Sequence, residues 1–172
     1  MGMKNLAKYH SWVGEKSRAI LQELSEEEFV LDLGSTLGST KEKVVHICSA
    51  LLRCFSLLKI ELSFFDHLNA PDGFYHLLDE YTQSTLIELW KNLDNQLGHE
   101  IQNNLDGTVA VPRRDGDSFC MMKDDFYLQY IIHTIYHRGQ LNYCFKALNK
   151  PRVEGDYLYY FDELDTSVDE NI

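Results

Sequence analysis

Three of the seven histidines fall where the helical pattern of the chain predicts buried apolar side chains. His133 and His137 are four residues apart on a predicted helix, so their side chains project from one face. The remaining positions of that stripe are aromatic, aliphatic or thiol side chains, namely Phe126, Tyr130, Leu141, Cys144 and Leu148. A buried neutral imidazole needs a partner for each ring nitrogen. A metal ion between the two rings would supply one partner to both.

A third histidine also falls among apolar side chains, on another predicted helix. His46 shares a face with apolar side chains, namely Ala50, Leu57 and Phe64. Three imidazoles that leave one coordination position open are a known arrangement in catalytic zinc sites. The sequence therefore predicts a divalent-metal site formed by His46, His133 and His137. The alternative is a polar core network in which these histidines hydrogen-bond to Tyr136 or Gln140.

Four long amphipathic helices are predicted to position these side chains. Apolar residues recur at helical spacing, and capping boxes or glycine stops mark several helix ends. The predicted helices run over Asn5 to Glu23, Thr40 to Phe65, Thr82 to Leu105 and Asp124 to Asn149. A further capping box, Ser25 to Glu28, predicts a short helical turn after the first helix. The pattern predicts an all-α four-helix bundle.

A long connection without helical spacing precedes the last helix. Val109-Ala110-Val111 and Phe119-Cys120-Met121 flank Asp115-Gly116, which predicts a short β-hairpin in this crossover. No repeat or linker divides the chain, so we expect one bundle domain over residues 1–164. An aromatic run, residues 157–161, is expected to pack over the bundle or at a dimer interface. Residues 165–172 form an acidic end that we expect to be disordered.

The composition restricts the partners and the compartment. A chain of 172 residues fits one domain, and its formal net charge of −11 disfavours nucleic acid and anionic membranes. The longest apolar stretch, residues 44–65, is interrupted by charged residues and is not expected to span a membrane. The start of the chain leads into an amphipathic pattern rather than a signal peptide. The four cysteines lack CxxC spacing, which favours a reduced cytoplasmic protein.

The segment from His133 to Leu141 resembles a known motif. It spells His-Thr-Ile-Tyr-His-Arg-Gly-Gln-Leu and resembles the HxxxHRGQ motif of the DinB/YfiT-like family of metal-binding helical bundles. Residues 9–12 and 38–47 resemble that family's first-helix aromatic pattern and second-helix ligand segment. The resemblance implies an up-down-down-up bundle and frequent homodimers. It also implies one metal ligand from the second helix and two from the fourth, with zinc or nickel as the expected metal.

Four further residues are candidates for substrate contact or for support of the ligands. Gln140 lies on the histidine stripe and is expected to orient a metal-bound water or a ligand histidine. Arg138 is expected to pair with a carboxylate or a helix carbonyl. Arg53 is expected to be solvated or ion-paired, with contact to a substrate carboxylate as the alternative. His10, where the family often has asparagine, is expected to be a partly exposed packing residue, with a metal ligand as the alternative.

Three functions remain open at this point. Relatives implied by the resemblance include bacillithiol S-transferases and mycothiol-dependent isomerases, which favours a metal-dependent enzyme that transfers a low-molecular-weight thiol to an electrophile. The alternatives are a hydrolase that uses metal-bound hydroxide and a non-catalytic metal-binding bundle. Either enzyme would act on a small molecule. Ile132, Tyr136 and Tyr143 lie on a flank of the last helix away from the histidines, which predicts a homodimer.

Overall fold

The computed structural model describes the backbone of residues 2–67 and 73–169, and the side chains of residues 2–67 and 73–164. Four long helices form the bundle: α1 (Met3–Gln22), α3 (Thr40–Leu58), α5 (Gln83–Asn103) and α6 (Lys123–Ala147). Three shorter helices accompany them: α2 (Glu26–Val30), α4 (Tyr75–Asp79) and α7 (Tyr157–Asp169). Two strands, β1 (Thr108–Pro112) and β2 (Ser118–Met122), form a hairpin. The predicted all-α bundle with a short hairpin is confirmed.

Capping boxes start α2 and α3 as the sequence predicts. The Ser39 hydroxyl accepts from the Glu42 backbone N–H, and the Glu42 carboxylate accepts from the Ser39 backbone N–H. The predicted end of α3 at Phe65 is wrong, because the helix ends at Leu58. Lys59 takes a left-handed conformation, with φ 56°, and closes the helix. Beyond it Leu62 and Phe65 turn back and are buried, so the chain removes these apolar side chains from water without extending the helix.

The four long helices enclose one apolar core. Its largest fully buried side chains include Trp90, Tyr127, Phe29, Phe55 and Phe145. Helix α1 packs most extensively against α5, and α3 packs against both α5 and α6. Helix α6 also contacts α1. Successive residues of α6 therefore face different neighbours, since each position turns by about 100° around the helix axis.

The hairpin forms where the sequence predicts it. Strands β1 and β2 pair antiparallel, with Val109 opposite Met121 and Val111 opposite Phe119. Gly116 occupies the tight turn with φ +89°, a conformation that glycine adopts without steric cost. The hairpin rests on α3 and α6 through the buried Val109, and α6 begins directly after β2. It therefore connects α5 to the helix that carries two of the three candidate ligands.

Helix α7 packs over α1 through the predicted aromatic run. The rings of Tyr157 and Tyr160 contact Tyr9, and the Tyr9 hydroxyl donates to the carbonyl of Gly155. The helix extends to Asp169, whereas residues 170–172 of the predicted acidic end lie outside the described residues, as do the side chains of residues 165–169. Pro71 and Asp72, expected in an irregular connection, also lie outside them. Across the described part of the chain, no helix combines the length and apolar character needed to cross a membrane.

Candidate metal centre

The three predicted histidine ligands lie together where α3 packs against α6. Helix α3 supplies His46, and successive turns of α6 supply His133 and His137. The ring centroid of His46 is 5.2 Å from that of His133 and 4.1 Å from that of His137, and the two α6 rings are 4.4 Å apart. One ring nitrogen of each histidine lies within 4.8 Å of one from each of the others. His46 and His133 are half-buried, and His137 exposes 9% of its surface, so solvent reaches the group.

The electrostatics of the site keep all three imidazoles neutral. Burial and the neighbouring His137 and His133 lower the pKa of His46 to about 4. Burial also lowers the pKa of His133 and of His137. At neutral pH each ring therefore has one nitrogen with a free lone pair, which is the form of histidine that binds metals.

Two polar side chains hold the rings in place. Gln140, one turn along α6, accepts a hydrogen bond from His137 Nδ1 through its Oε1 atom at 2.8 Å. The Tyr75 hydroxyl of α4 is hydrogen-bonded to His46 Nδ1. Both contacts occupy Nδ1 and leave Nε2 as the nitrogen available for coordination. Histidines that bind metals in proteins commonly have such a partner on the second ring nitrogen, which fixes the tautomer and the ring orientation.

The donor set fits a divalent transition ion. Ring nitrogens about 2.0–2.1 Å from one zinc ion lie roughly 3.4 Å apart, so the present separations need only small side-chain adjustments. The described group contains no carboxylate or thiolate. A set of neutral imidazoles suits zinc, copper, iron and nickel, and disfavours calcium or magnesium, which prefer oxygen ligands.

A lysine that the sequence analysis did not select lies one turn before His46 on α3. Lys43 precedes His46 by three residues on α3 and therefore projects from the same face. It is half-buried, and its charge contributes to lowering the pKa of His46 and of His137 on the facing helix. It also opposes the burial that raises the pKa of the Cys144 thiol. In the sequence, its spacing of three residues from His46 indicated that the two side chains share a face of the helix.

Two of the candidate support residues lie in a separate buried cluster. His10 Nε2 is 2.9 Å from Asp94 Oδ1, and Arg138 Nη2 is 3.8 Å from Asp94 Oδ2. Arg18 Nη1 donates to the same Oδ2 atom at 2.5 Å. His10 is only 1% exposed, so the expectation of a partly exposed residue is wrong. Arg53 is exposed and lies two turns beyond His46 on α3.

Asp94 is the centre of this second cluster. Burial alone would raise the pKa of the Asp94 carboxyl, but His10, Arg138 and Arg18 together hold it below its ordinary value. Burial and the adjacent Arg138 lower the pKa of His10, which favours a neutral ring. Trp90 completes the cluster by donating from Nε1 to Asp94 Oδ1 at 3.2 Å. A carboxylate with this many charged and polar partners is a structural ion-pair centre.

The fold and the histidine group together define a class of protein, the helical bundle with three histidines that could hold a metal ion. The sequence model of the DinB family matches residues 1–164. The chain belongs to the DinB family, which confirms the resemblance carried by the motif on α6. No curated protein matches the chain at a significant level.

Proposed function

We propose that this protein is a divalent-metal-dependent enzyme that transfers a low-molecular-weight thiol to an electrophile. Its ligands are His46, His133 and His137, with one coordination position open to the substrate. The observation that carries the proposal is the convergence of three neutral imidazoles from two helices at a site that solvent reaches. Zinc or nickel is the expected metal, since imidazole ligands suit both and cellular availability decides between them.

The neutral ligand set favours an anionic sulfur ligand. A free thiol has a pKa near 8.5 and is mostly protonated at neutral pH, whereas the thiolate is the nucleophile. The bound cation would supply deprotonation of the thiol by coordination. The three histidines contribute no charge of their own, so they leave the positive charge of the ion undiminished. A thiolate is therefore preferred to a neutral thiol in this site.

The transfer step needs no redox partner. The thiolate sulfur attacks the electrophilic carbon, the sulfur–carbon bond forms, and the leaving group departs with its electron pair. The thiol proton passes to solvent. Gln140 and Tyr75 keep the ligand rings oriented during this step through their hydrogen bonds to Nδ1 of His137 and His46. The reaction requires reduced thiols, which supports placing the protein in the cytoplasm.

Metal content tests the ligand assignment. Protein purified without a nickel column is expected to contain roughly one divalent metal ion per chain, and His133→Ala and His137→Ala are expected to lose it. His99→Ala is the matched control, because His99 is an exposed histidine on α5, which supplies none of the three ligands. Elemental analysis of the three variants measures the outcome. Unchanged metal content in both α6 variants would overturn the assignment.

Conjugation assays test the reaction. Metal-loaded protein is mixed with monochlorobimane and with bacillithiol, mycothiol, glutathione or cysteine in turn, and the fluorescent conjugate is followed. At least one thiol should react above background, and His137→Ala should abolish the excess. Absence of conjugation with every thiol would overturn the proposal. Ester or amide hydrolysis without thiol would then identify a hydrolase, and retained metal without turnover would identify a binding protein.

We further propose that the protein is a homodimer that associates through one face of α6. Ile132, Tyr136 and Tyr143 follow at helical spacing and are 54%, 64% and 65% exposed. Apolar side chains exposed in a row on a bundle helix favour burial against another subunit. Light scattering at micromolar concentration should give twice the chain mass, and Tyr143→Glu should reduce it. Tyr159→Glu on α7 is the control, since Tyr159 is 50% exposed on another helix. A monomeric wild type contradicts the proposal.

A further inference from the structure

The exposed side of α6 carries no charged side chain over most of its length. Between Asp125 and Lys146, the one Asp, Glu, Lys or Arg residue is Arg138, which is 5% exposed. We call the exposed residues of this stretch the α6 face: Gln129, Ile132, Ile135, Tyr136, Gly139 and Tyr143. The whole chain has a formal net charge of −11, and 25% of its residues are charged. Two identical copies therefore meet with less charge repulsion at the α6 face than at the charged surfaces of the bundle.

A cavity of about 180 Å³ opens beside the middle of the α6 face. Exposed Ile135 and Gly139 lie at its mouth. The rest of the lining comes from α1, α6 and the segment before α7, namely Tyr9, Val13, Arg138, Asn142, Val153 and Gly155. Cavities that hold small-molecule ligands are usually larger, about 300–1,000 Å³, so this one suits a single side chain. Its mixed apolar and polar lining fits a ring with a polar end, as in tyrosine.

Gly139 lets another helix approach α6 closely at this cavity. A Cβ added at Gly139 would have no atom of the described residues within 4 Å, apart from its own helix backbone and chain neighbours. The distance between two packed helices depends on the side chains at their contact, and it is shortest where these are small. Tyr143 follows one turn later and is 65% exposed. The α6 face thus carries a depression and a projecting ring about 6 Å apart along the helix axis.

A two-fold symmetric dimer requires a face of this kind. Every contact in it occurs twice, so the same face must carry both the projecting group and the depression that receives it. If two α6 helices cross antiparallel at Gly139, positions equally far before and after this residue face each other. Tyr143, four residues after Gly139, then faces Ile135 of the other copy, four residues before it. Because Ile135 lies at the mouth of the cavity, the Tyr143 ring is brought to that mouth.

We propose that two copies of this chain pack α6 against α6 in antiparallel orientation, each inserting Tyr143 into the cavity beside Gly139 of the other. The inference rests on the homodimer of the proposed function and identifies the contact that holds it together. Each tyrosine ring would leave water near the centre of the interface, where aromatic residues contribute most to association. The cavity is thus a receptor for a side chain of a second copy of this chain.

The dissociation constant of the dimer tests this inference, measured on the full chain by sedimentation over a dilution series. Gly139→Leu fills the depression, and Tyr143→Ala removes the ring. Gly98→Leu is the matched control, because Gly98 lies inside α5 and a Cβ added there also has no atom of the described residues within 4 Å. Far-UV circular dichroism of every variant checks that the bundle is folded.

A double-mutant cycle tests the contact between Tyr143 and Ile135. The two residues are about 12 Å apart along one helix, so an interaction between them reports on the contact between subunits. Tyr143→Ala and Ile135→Ala are measured singly and together. The combined weakening should fall short of the product of the single effects by about twofold or more. The control pair, Tyr143→Ala with Gln129→Ala, should give the product, because Gln129 does not face Tyr143 in the antiparallel crossing.

Gly139→Leu and Tyr143→Ala should each raise the dissociation constant about tenfold or more, and Gly98→Leu should leave it unchanged. If either α6 variant leaves it unchanged, or if Tyr143→Ala and Ile135→Ala combine as a simple product, this inference is overturned and the homodimer stands. A wild type that is monomeric at micromolar concentration would overturn the homodimer proposal and this inference together.

Discussion

Two histidine-containing clusters of this bundle differ in how their polar groups are satisfied. Around His10, opposite charges meet one another, because Asp94 contacts both Arg18 and Arg138 and the whole group is buried. At the second cluster, His46 and the two α6 histidines meet without an acidic side chain from the described residues, and solvent reaches them. The first cluster is complete in itself. The second brings together three electron-pair donors that could share one metal ion.

The Asp94 cluster is also packed more closely than the histidine group. Gly14 of α1 lies against the Asp94 cluster, and a Cβ at that position would be 2.4 Å from Asp94 Oδ2 and 3.0 Å from Arg18 Nη1. The helix thus approaches the ion pairs as closely as its backbone permits. At the histidine group, by contrast, the residue that contacts His46 from α4 is the exposed Tyr75. The histidine group is therefore more exposed to solvent than the Asp94 cluster.

The largest effect on stability is expected when the negative charge of Asp94, at the centre of its cluster, is removed. Asp94→Asn leaves two buried guanidinium groups without their counter-charge and should lower the free energy of unfolding by about 3–5 kcal/mol. Glu88→Gln is the control, because Glu88 forms an exposed pair with Lys91 on the same helix and should change stability by less than about 1 kcal/mol. Urea denaturation measures both. A cost below about 1 kcal/mol for Asp94→Asn would contradict the structural role of the cluster.

The next effect tests the tight packing at Gly14. Alanine in a helix is ordinarily about 1 kcal/mol more favourable than glycine. At Gly14 the added methyl group would collide with Asp94, so Gly14→Ala should instead destabilise the protein by about 1–3 kcal/mol. Gly98→Ala on α5 should stabilise it by up to about 1 kcal/mol, since no atom lies within 4 Å of the added Cβ. If thermal and urea unfolding showed that both variants change stability in the same direction, this packing would be contradicted.

A smaller effect is expected at the histidine group when the hydrogen bond between Gln140 and His137 is removed. Gln140→Ala should weaken metal binding about 10–100-fold, or about 1.4–2.8 kcal/mol, because His137 loses the acceptor that fixes its tautomer. Gln140→Glu keeps an acceptor at the same position and should retain affinity within a few-fold. Competition with a chromophoric chelator measures both values. Equal affinities for Gln140→Ala and the wild type would show that the contact does not support the metal.

The smallest effect concerns pH and His10. The pKa of His10 in the folded protein lies below its ordinary value of 6.5, because burial and Arg138 disfavour the charged ring while Asp94 opposes them. The unfolded chain therefore binds this proton first as the pH falls. Stability from the neutral ring is fully present above about pH 6.5 and is lost as the pH falls toward the folded pKa, by at most about 1.4 kcal/mol per pH unit.

Comparison of the wild type with His10→Gln isolates this effect. The three metal-site histidines also have lowered pKa values, but they are common to both proteins and cancel in the difference. Urea unfolding with a chelator present, at about pH 7.5 and about pH 5.5, should show a stability advantage of the wild type that shrinks at the lower pH. A difference that does not vary with pH would contradict the neutral state of the buried ring.

The sequence predicted that the three histidines meet, because their local spacing indicates it. His133 and His137 repeat at helical spacing on an apolar stripe, and His46 lies on an apolar face. Asp94 gave no comparable signal, since its partners His10, Arg18 and Arg138 come from α1 and α6 and meet it only when the bundle is assembled. Tyr75 contacts His46 from α4, a five-residue helix too short to show a helical pattern. The end of α3 was misjudged because apolar spacing continued into a segment that is buried without being helical.

The adjacency of His137 and Arg138 on α6 has a mechanical consequence. His137 points to the histidine group beside α3, and Arg138 points to Asp94 of α5 and His10 of α1, so α6 is anchored on two sides at the same level. Rotation of α6 about its axis would break the buried ion pair between Arg138 and Asp94, and this motion is therefore disfavoured. Among the described residues of α4, Tyr75 contacts the site through its hydrogen bond to His46. At the site, the long helix α6 is therefore held by a buried ion pair, and the short helix α4 by the hydrogen bond of an exposed tyrosine.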